Sequence, residues 1–243
     1  MNTLLLRLAG PLQSWGTQSR FTIRETGMEP SKSGVIGLLC AAQGRPRDLP
    51  VDDLGALRLG VRVDREGALA VDYHTAGGAH RRGESYGVAK ANGNAPEPVV
   101  SRRYYLADAD FLVGLEGEDD ALLRRLHDAL REPVWQLCLG RKSFVPGVPV
   151  WLPDGLRLGE TLEQALVAYP WPRQNLPVPP PERRPRRLRL VLEDEKGVDV
   201  RHDQPYALAF RDRTFALRYV RTDFRDLGSE VPIREEELCT SPA

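Results

Sequence analysis

The segment PSKSGVIGLLCAAQG, Pro30 to Gly44, decides how the chain around it is read. Pro30 and Ser31 open it. Val35, Leu38, Leu39 and Ala42 then recur at helical spacing, and Gly44 stands where helices commonly end in a left-handed residue. The pattern predicts a helix over Lys32–Gln43, in which Gly34 and Gly37 cost helix stability but permit close packing against a neighbour. Upstream, Thr3 to Ala9 reads as a buried strand stopped by Gly10 and Pro11, and Leu12 to Gly27 as a polar loop or irregular strand. Downstream, Leu57–Val63 and Leu69–Tyr73 predict a hairpin. Val99–Leu106 and Phe111–Leu115 are again strand-like. Asp119 caps an amphipathic helix to about Arg131, with Leu122, Leu123, Leu126, Ala129 and Leu130 as its apolar stripe. Val134–Leu139 completes the series as a last strand.

That order is β-α-β-β-(insertion)-β-α-β. It predicts an α+β fold, ferredoxin-like and RRM-like, over residues 1–148. The insertion, about 76–100, is rich in Gly, Asn, Arg and Ala, and loops of such length are often functional. From 149 to 243 the sequence predicts a small β-rich C-terminal subdomain. Thr161 and Gln164 form a capping box there. Residues 170–186 hold seven prolines and read as a linker or surface strap. Arg187–Leu192, Val198–Arg201 and Thr214–Arg221 read as strands.

The chain has 243 residues, with 34 basic and 34 acidic side chains. Only the placement of charge can therefore point to a polyanion. Residues 1–47, 76–105 and 173–189 are enriched in Lys and Arg, whereas acid gathers in 106–132 and 223–237. Cys40, Cys138 and Cys239 form no CxxC pair, which speaks against a zinc site or a disulfide framework. The start MNTLLLRLAG lacks the long apolar region of a signal peptide, and a cytoplasmic, membrane-free protein without cofactor or metal is expected. A nucleotide-binding P-loop is excluded, because its glycines would have to stand where Thr26 and Ser31 do.

Several segments point to RNA. Ser31, Lys32 and Ser33 open a helix whose free N–H groups and dipole favour an anion, although serine at this place can simply be a cap. Trp15 can stack on a base with Gln13 bonding its edge, or it can belong to the core or a subunit contact. Arg20 lies in the same polar loop. Arg81 and Arg82, with Tyr86 and Lys90, suit a flap closing on phosphates. On the next strand alternation puts Arg102 and Tyr104 on one face and Arg103 and Tyr105 on the other. Arg141 and Lys142 form a basic turn that can meet phosphate or a neighbouring subunit. For catalysis of RNA cleavage the candidates are His74 and Lys32, with Tyr73 or Tyr86. His80, His127 and His202 show no useful spacing, and neither HExxH nor GxSxG is present.

Five blocks together resemble the CasD-type subunits of type I-E CRISPR Cascade complexes, in the RAMP superfamily. They are LRLAGPLQSWG (Leu6–Gly16), PSKSGVIGLLCAAQGR (Pro30–Arg45), DYHT (Asp72–Thr75), RRYYLADADF (Arg102–Phe111) and LGRKSFVP (Leu139–Pro146). RTFALRYV (Arg213–Val220) resembles the family's closing strand, and Ser31 stands where relatives often carry Thr. The resemblance implies a thumb folding over the guide RNA (crRNA) where its 5′ handle meets the spacer, with Arg103 at the thumb's base. His74, alone at a strand end, reads from the residues as a structural group or a simple RNA contact rather than a general base. The resemblance also implies a CasC-type backbone subunit and a CasA-type large subunit as partners, with target DNA engaged indirectly. In this subtype a separate subunit cuts the precursor, so an RNA-gripping scaffold is expected. A metal-independent ribonuclease is the alternative.

Overall fold

A computed structural model describes residues 1–16, 22–77, 87–88, 97–172 and 179–234. The chain runs β1 (Asn2–Ala9), β2 (Leu12–Gln13), β3 (Ile23–Arg24), α1 (Lys32–Gln43), α2 (Asp52–Gly55), β4 (Arg58–Arg65), β5 (Ala68–Ala76), β6 (Val99–Ala107) and β7 (Asp110–Gly117). It continues through α3 (Asp120–Arg131), β8 (Trp151–Leu158), α4 (Leu162–Ala168), a single 3-10 turn at Pro181–Arg183, β9 (Arg187–Glu193), β10 (Asp199–Gln204), α5 (Ala209–Asp212) and β11 (Ala216–Asp226). Among the described residues the strands form two sheets. The larger has the order β10-β11-β9-β4-β7-β1-β8; the smaller has β2-β6-β3, with β5 also paired to β6.

The large sheet is antiparallel throughout and mixes with helices on both faces. Alternation along β1 sends Leu4, Leu6 and Leu8 to the face covered by α1 and α3. They pack there with Val61, Val113, Leu39 and Leu126. Leu5 faces the other way and packs with Leu112, Leu162, Leu166 and Leu190 under α4. Gly60 and Gly114 let α4 approach: a Cβ on Gly114 would stand 2.7 Å from the Leu162 side chain.

The same face carries a buried polar layer. Arg7 Nε and Nη2 donate to Asp110 at 2.7 and 3.0 Å, and Arg62 Nε and Nη2 donate to Asp64 at 2.7 and 3.2 Å. Arg62 Nη1 also donates to the carbonyls of Leu166 and Tyr169, which are left over where α4 ends. Each buried charge thus has an opposite charge and hydrogen bonds; an unpaired one would cost several kcal/mol.

Three expectations about the fold need correction. Leu57–Val63 and Leu69–Tyr73 do not form a hairpin: β4 pairs with β7 and β9 in the large sheet, and β5 with β6 in the small one. Val134–Leu139 is not a strand. Val134 and Trp135 N–H groups instead donate to the Ala42 and Ala41 carbonyls at 2.9 and 3.1 Å, satisfying the C-terminal end of α1. The strand that pairs with β1 on its free edge is β8, beyond residue 148. The later strands do not form a separate sheet: β9 pairs with β4, so β9, β11 and β10 prolong the large sheet. A boundary at 148 therefore cuts through one sheet. The capping box at Thr161 and Gln164 is present as expected, and α1 ends at Gly44 with φ of 66°.

Candidate nucleic-acid interface

The smaller sheet is built on β6. On one side β5 runs antiparallel to it, pairing Asp72 with Arg103, His74 with Ser101 and Tyr73 with Arg102. On the other side β3 runs parallel and sets Arg24 beside Arg103. One face of this sheet therefore carries Arg24, Arg103, Asp72 and His74 in adjacent register. The opposite face carries Ile23, Val71, Tyr73, Arg102 and Tyr104, an exposed surface of mixed aromatic and aliphatic character.

A loop after α3 brings the third arginine of the polar face. Leu139 N–H donates to Phe144 O at 2.7 Å and Phe144 N–H to Arg141 O at 2.9 Å, closing a tight turn; Ser14 N–H donates to Leu139 O at 3.1 Å. Gly140 has φ of 87°, and a Cβ there would stand 1.7 Å from Ser14 O, so only glycine fits. This turn holds the Arg141 guanidinium 5.4 Å over the Phe144 ring, which in turn meets Tyr105 edge-on at 5.9 Å. Arg141 Nη2 donates to the Arg24 carbonyl at 3.2 Å.

Burial pushes the Arg141 guanidinium below its ordinary pKa; the nearby Arg103 and Arg24 push the same way, and Asp72 opposes them. Three guanidiniums thus crowd round one carboxylate, an excess of positive charge that a phosphate diester would relieve. Arg103 Nε donates to Ser101 Oγ at 3.0 Å. His74 Nδ1 lies 3.2 Å from Asp72 Oδ2, both side chains being half exposed.

The helix start expected to hold phosphate already holds an internal anion. Ser31 caps α1 by accepting from Gly34 N–H at 3.3 Å. Lys32 N–H donates to Asp203 Oδ2 at 2.7 Å, and Lys32 Nζ to Glu193 Oε1 at 2.9 Å. Asp203 is itself gripped by Arg218 at 2.7 and 3.1 Å. Lys32 is 1% exposed. Burial pushes its ammonium below the ordinary lysine range, opposed by Glu193. As a phosphate contact or a catalytic group Lys32 is therefore corrected: its charge serves β9 and its backbone serves β10. Ser31 is buried with it, and Ser33 is half-buried beside it.

Gln13 and Trp15 are corrected likewise. Gln13 is fully buried, donating to Leu8 O and Ala109 O at 3.1 and 2.8 Å and accepting from Trp15 Nε1 at 3.1 Å. The Trp15 ring packs on α1 at Gly34, where a Cβ would stand 2.8 Å from it. Of the two readings open for Trp15, the core reading is the one realised. Arg102 is exposed and Tyr104 half-buried on the face away from Arg103, and Lys142 is exposed beside Arg141. Arg20, Arg81, Arg82, Tyr86 and Lys90 lie outside the described residues. Among the described residues no group of three or more His, Cys, Asp or Glu side chains is placed to hold a metal ion. No described helix is long and apolar enough to cross a membrane.

Arg24 and Asp72 are the site residues that sequence reading passed over. Asp72 stands in the DYHT segment, but only the pairing of β5 with β6 reveals its place beside Arg103.

A family model described as CRISPR-associated protein (Cas5) matches residues 3–221. The chain belongs to the Cas5 family. It is 36% identical over 180 residues to the CRISPR system Cascade subunit CasD of Escherichia coli (strain K12), an alignment covering 68% of this chain and 76% of that protein. A solved structure described as a Cas protein superimposes with a TM-score of 0.74 at 46% identity, covering 96% of this chain and 98% of the other. A chain of a solved CRISPR RNA-guided surveillance complex does so with a TM-score of 0.74 at 34% identity, covering 92% and 90%. As members of one family these proteins share a mixed α+β architecture with a large antiparallel sheet.

Proposed function

We propose that this Cas5-family chain is a guide-RNA-binding subunit of a CRISPR antiviral surveillance complex, one that grips the 5′ handle of crRNA without cutting it. The observation that carries the reading is the convergence of Arg24, Arg103 and Arg141 on one face of the small sheet, from three segments far apart in sequence. Family membership supports it, since its relatives include a Cascade subunit and a chain of an RNA-guided surveillance complex.

The strand order β4-β7-β1-β8 with α1 and α3 on one face supports the ferredoxin-like, RAMP reading. In this reading the paired strands β5 and β6 form the base of the thumb. The exposed Ile23, Val71 and Tyr73 on the reverse of those strands suit contact with the CasC-type backbone subunit. The CasA-type large subunit is the second partner, target DNA is reached through the complex, and the setting is cytoplasmic.

One observation favours a second reading. His74 and Asp72 lie together beside Arg103, which is the arrangement a base and a phosphate stabiliser would need in a metal-independent ribonuclease. The two readings part in one experiment. The purified chain is incubated with end-labelled repeat RNA, in EDTA, beside His74→Ala and Arg103→Ala/Arg141→Ala variants. The scaffold reading expects intact RNA throughout and loss of binding in the double arginine variant. Site-specific cutting that disappears with His74→Ala would replace it with the ribonuclease.

A further inference from the structure

The large sheet has a second arginine-rich place, on the face covered by α4. α4 shields only part of that face, where Leu5, Leu112 and Leu190 lie. Beyond it, a cavity of about 690 Å³ opens over Arg7, Asp64 and Asp110. Trp171, residues of the turn at Pro181–Arg183 and the first residues of β9 also line it.

Arg7 is the floor and is 2% exposed. Two of its three nitrogens are committed to carboxylates, through Asp110 at 2.7 and 3.0 Å and Asp64 at 3.2 Å. The third, Nη1, is buried without a hydrogen-bond partner among the described residues. A buried guanidinium corner left without an acceptor is costly. The floor carboxylates do not repel an incoming anion strongly, because Arg7 and Arg62 saturate them. The lining as a whole carries six arginines against four carboxylates, a surplus that matches a phosphate monoester dianion.

The walls add a second kind of recognition. Trp171 is buried and fixed through its indole N–H, which donates to Asp64 O at 3.3 Å. At the rim the Arg187 guanidinium lies 5.3 Å over the Phe224 ring. An arginine-ringed cavity with aromatic walls and a volume within the ordinary range of small-ligand sites suits a nucleotide, with phosphate toward Arg7 and base toward the aromatic side.

We propose that this cavity is a nucleotide-binding site, specific for a single nucleotide carrying a terminal phosphate, separate from the arginine cluster of the small sheet. The test uses the full chain carrying Arg141→Glu, so that the small-sheet cluster contributes little to anion binding. Adenosine 5′-monophosphate, inorganic phosphate and unphosphorylated adenosine are titrated by calorimetry and by thermal shift. The nucleotide is expected to bind and raise Tm, phosphate to bind more weakly, and adenosine not to bind. Adding Arg183→Ala and Arg187→Ala, both on exposed side chains whose loss leaves the core intact, should weaken the nucleotide at least tenfold. Arg7→Lys should do the same if it folds, and the rim pair decides the matter if it does not. The proposal is overturned by absence of binding, by adenosine binding as well as its monophosphate, or by nucleotide binding that the rim substitutions leave unchanged.

Discussion

Removing Arg103 and removing Lys32 should have opposite signatures, although both are basic residues in segments that read alike as RNA contacts. Arg103 projects from β6 between Arg24 and Asp72, with Arg141 adding its charge from above. Each true phosphate contact on a single strand contributes about 0.7 to the slope of log K against log salt. Arg103→Ala should lower the magnitude of that slope by about 0.7, and Arg103→Ala/Arg141→Ala by about 1.4. Charge-assisted hydrogen bonds contribute about 1.5–3 kcal/mol, and partial exposure of this sheet puts each loss at the lower end, roughly a tenfold loss of affinity. Lys32 is different because its ammonium is spent on Glu193 inside the protein. Lys32→Ala leaves that carboxylate short of one partner, but Glu193 still accepts from Leu59 N–H at 3.1 Å and keeps Arg218 at 4.0 Å. The cost should be about 3 kcal/mol, the low end for a broken buried pair, which for a chain of this size lowers Tm by about 6–12 °C. The salt slope should stay where it was. Fluorescence anisotropy with a labelled single-stranded RNA across a potassium chloride series reads the slope, and calorimetry reads Tm. A Lys32→Ala protein of native Tm with a slope reduced by 0.7 would refute the assignment of that lysine to the fold and restore the helix start as a phosphate site.

Other outcomes follow from single features. Gly140→Ala puts a Cβ 1.7 Å from Ser14 O at a positive φ; it should destabilise by more than about 3 kcal/mol and weaken RNA binding as Arg141→Ala does, measured by urea unfolding and anisotropy. Burial, with Asp154 3.2 Å away, pushes the Tyr169 phenol up from 10.0 to about 12. Above pH 10 the unfolded chain loses that proton while the folded one keeps it, so stability should fall as pH rises from 10 to 12, and Tyr169→Phe should flatten that fall in urea titrations. Asp203→Asn removes the anion from the start of α1 and strands Arg218; a loss of about 3–5 kcal/mol is expected, with hydrogen exchange quickening in α1 and in β10 together.

What the sequence made legible was local. α1 and α3 carry their period, their caps and their stops within a dozen residues each, and the structure places both within a residue or two of the expected bounds. Two of the features missed show how much depends on segments far apart. Val134–Leu139 has the composition of a strand, but its N–H groups are drawn to the open carbonyls at the end of α1, which no pattern inside the segment encodes. The place of Arg24 is set by a parallel pairing with β6 across the whole first half of the fold. Gln13, Trp15 and Lys32 show the converse error. Polar and aromatic residues in a loop look like ligand contacts until the neighbours that consume them are known: Leu8 and Ala109 for Gln13, α1 for Trp15, Glu193 for Lys32.

The internal anions explain why the start of α1 is not open to a phosphate. Both α1 and α4 start on a carboxylate from another strand: Asp203 accepts from Lys32 N–H, and Glu116 accepts from Leu162 N–H at 2.6 Å. A helix start exposed to solvent can offer its dipole to RNA, but here each is used to fasten a helix to the large sheet. For α1 the fastening strand is β10, at one edge of the large sheet, so the C-terminal strands are tied to the first helix as well as to β4. With helix dipoles committed to the fold, the positive charge left for a polyanion must come from side chains held on rigid strands and turns. The small sheet supplies that: β3 and β6 fix Arg24 and Arg103 in register, and the turn at Gly140 fixes Arg141 against them. A grip of the proposed kind needs no helix end and no mobile lysine; two of its arginines rest on the β3–β6 register and the third on the turn at Gly140.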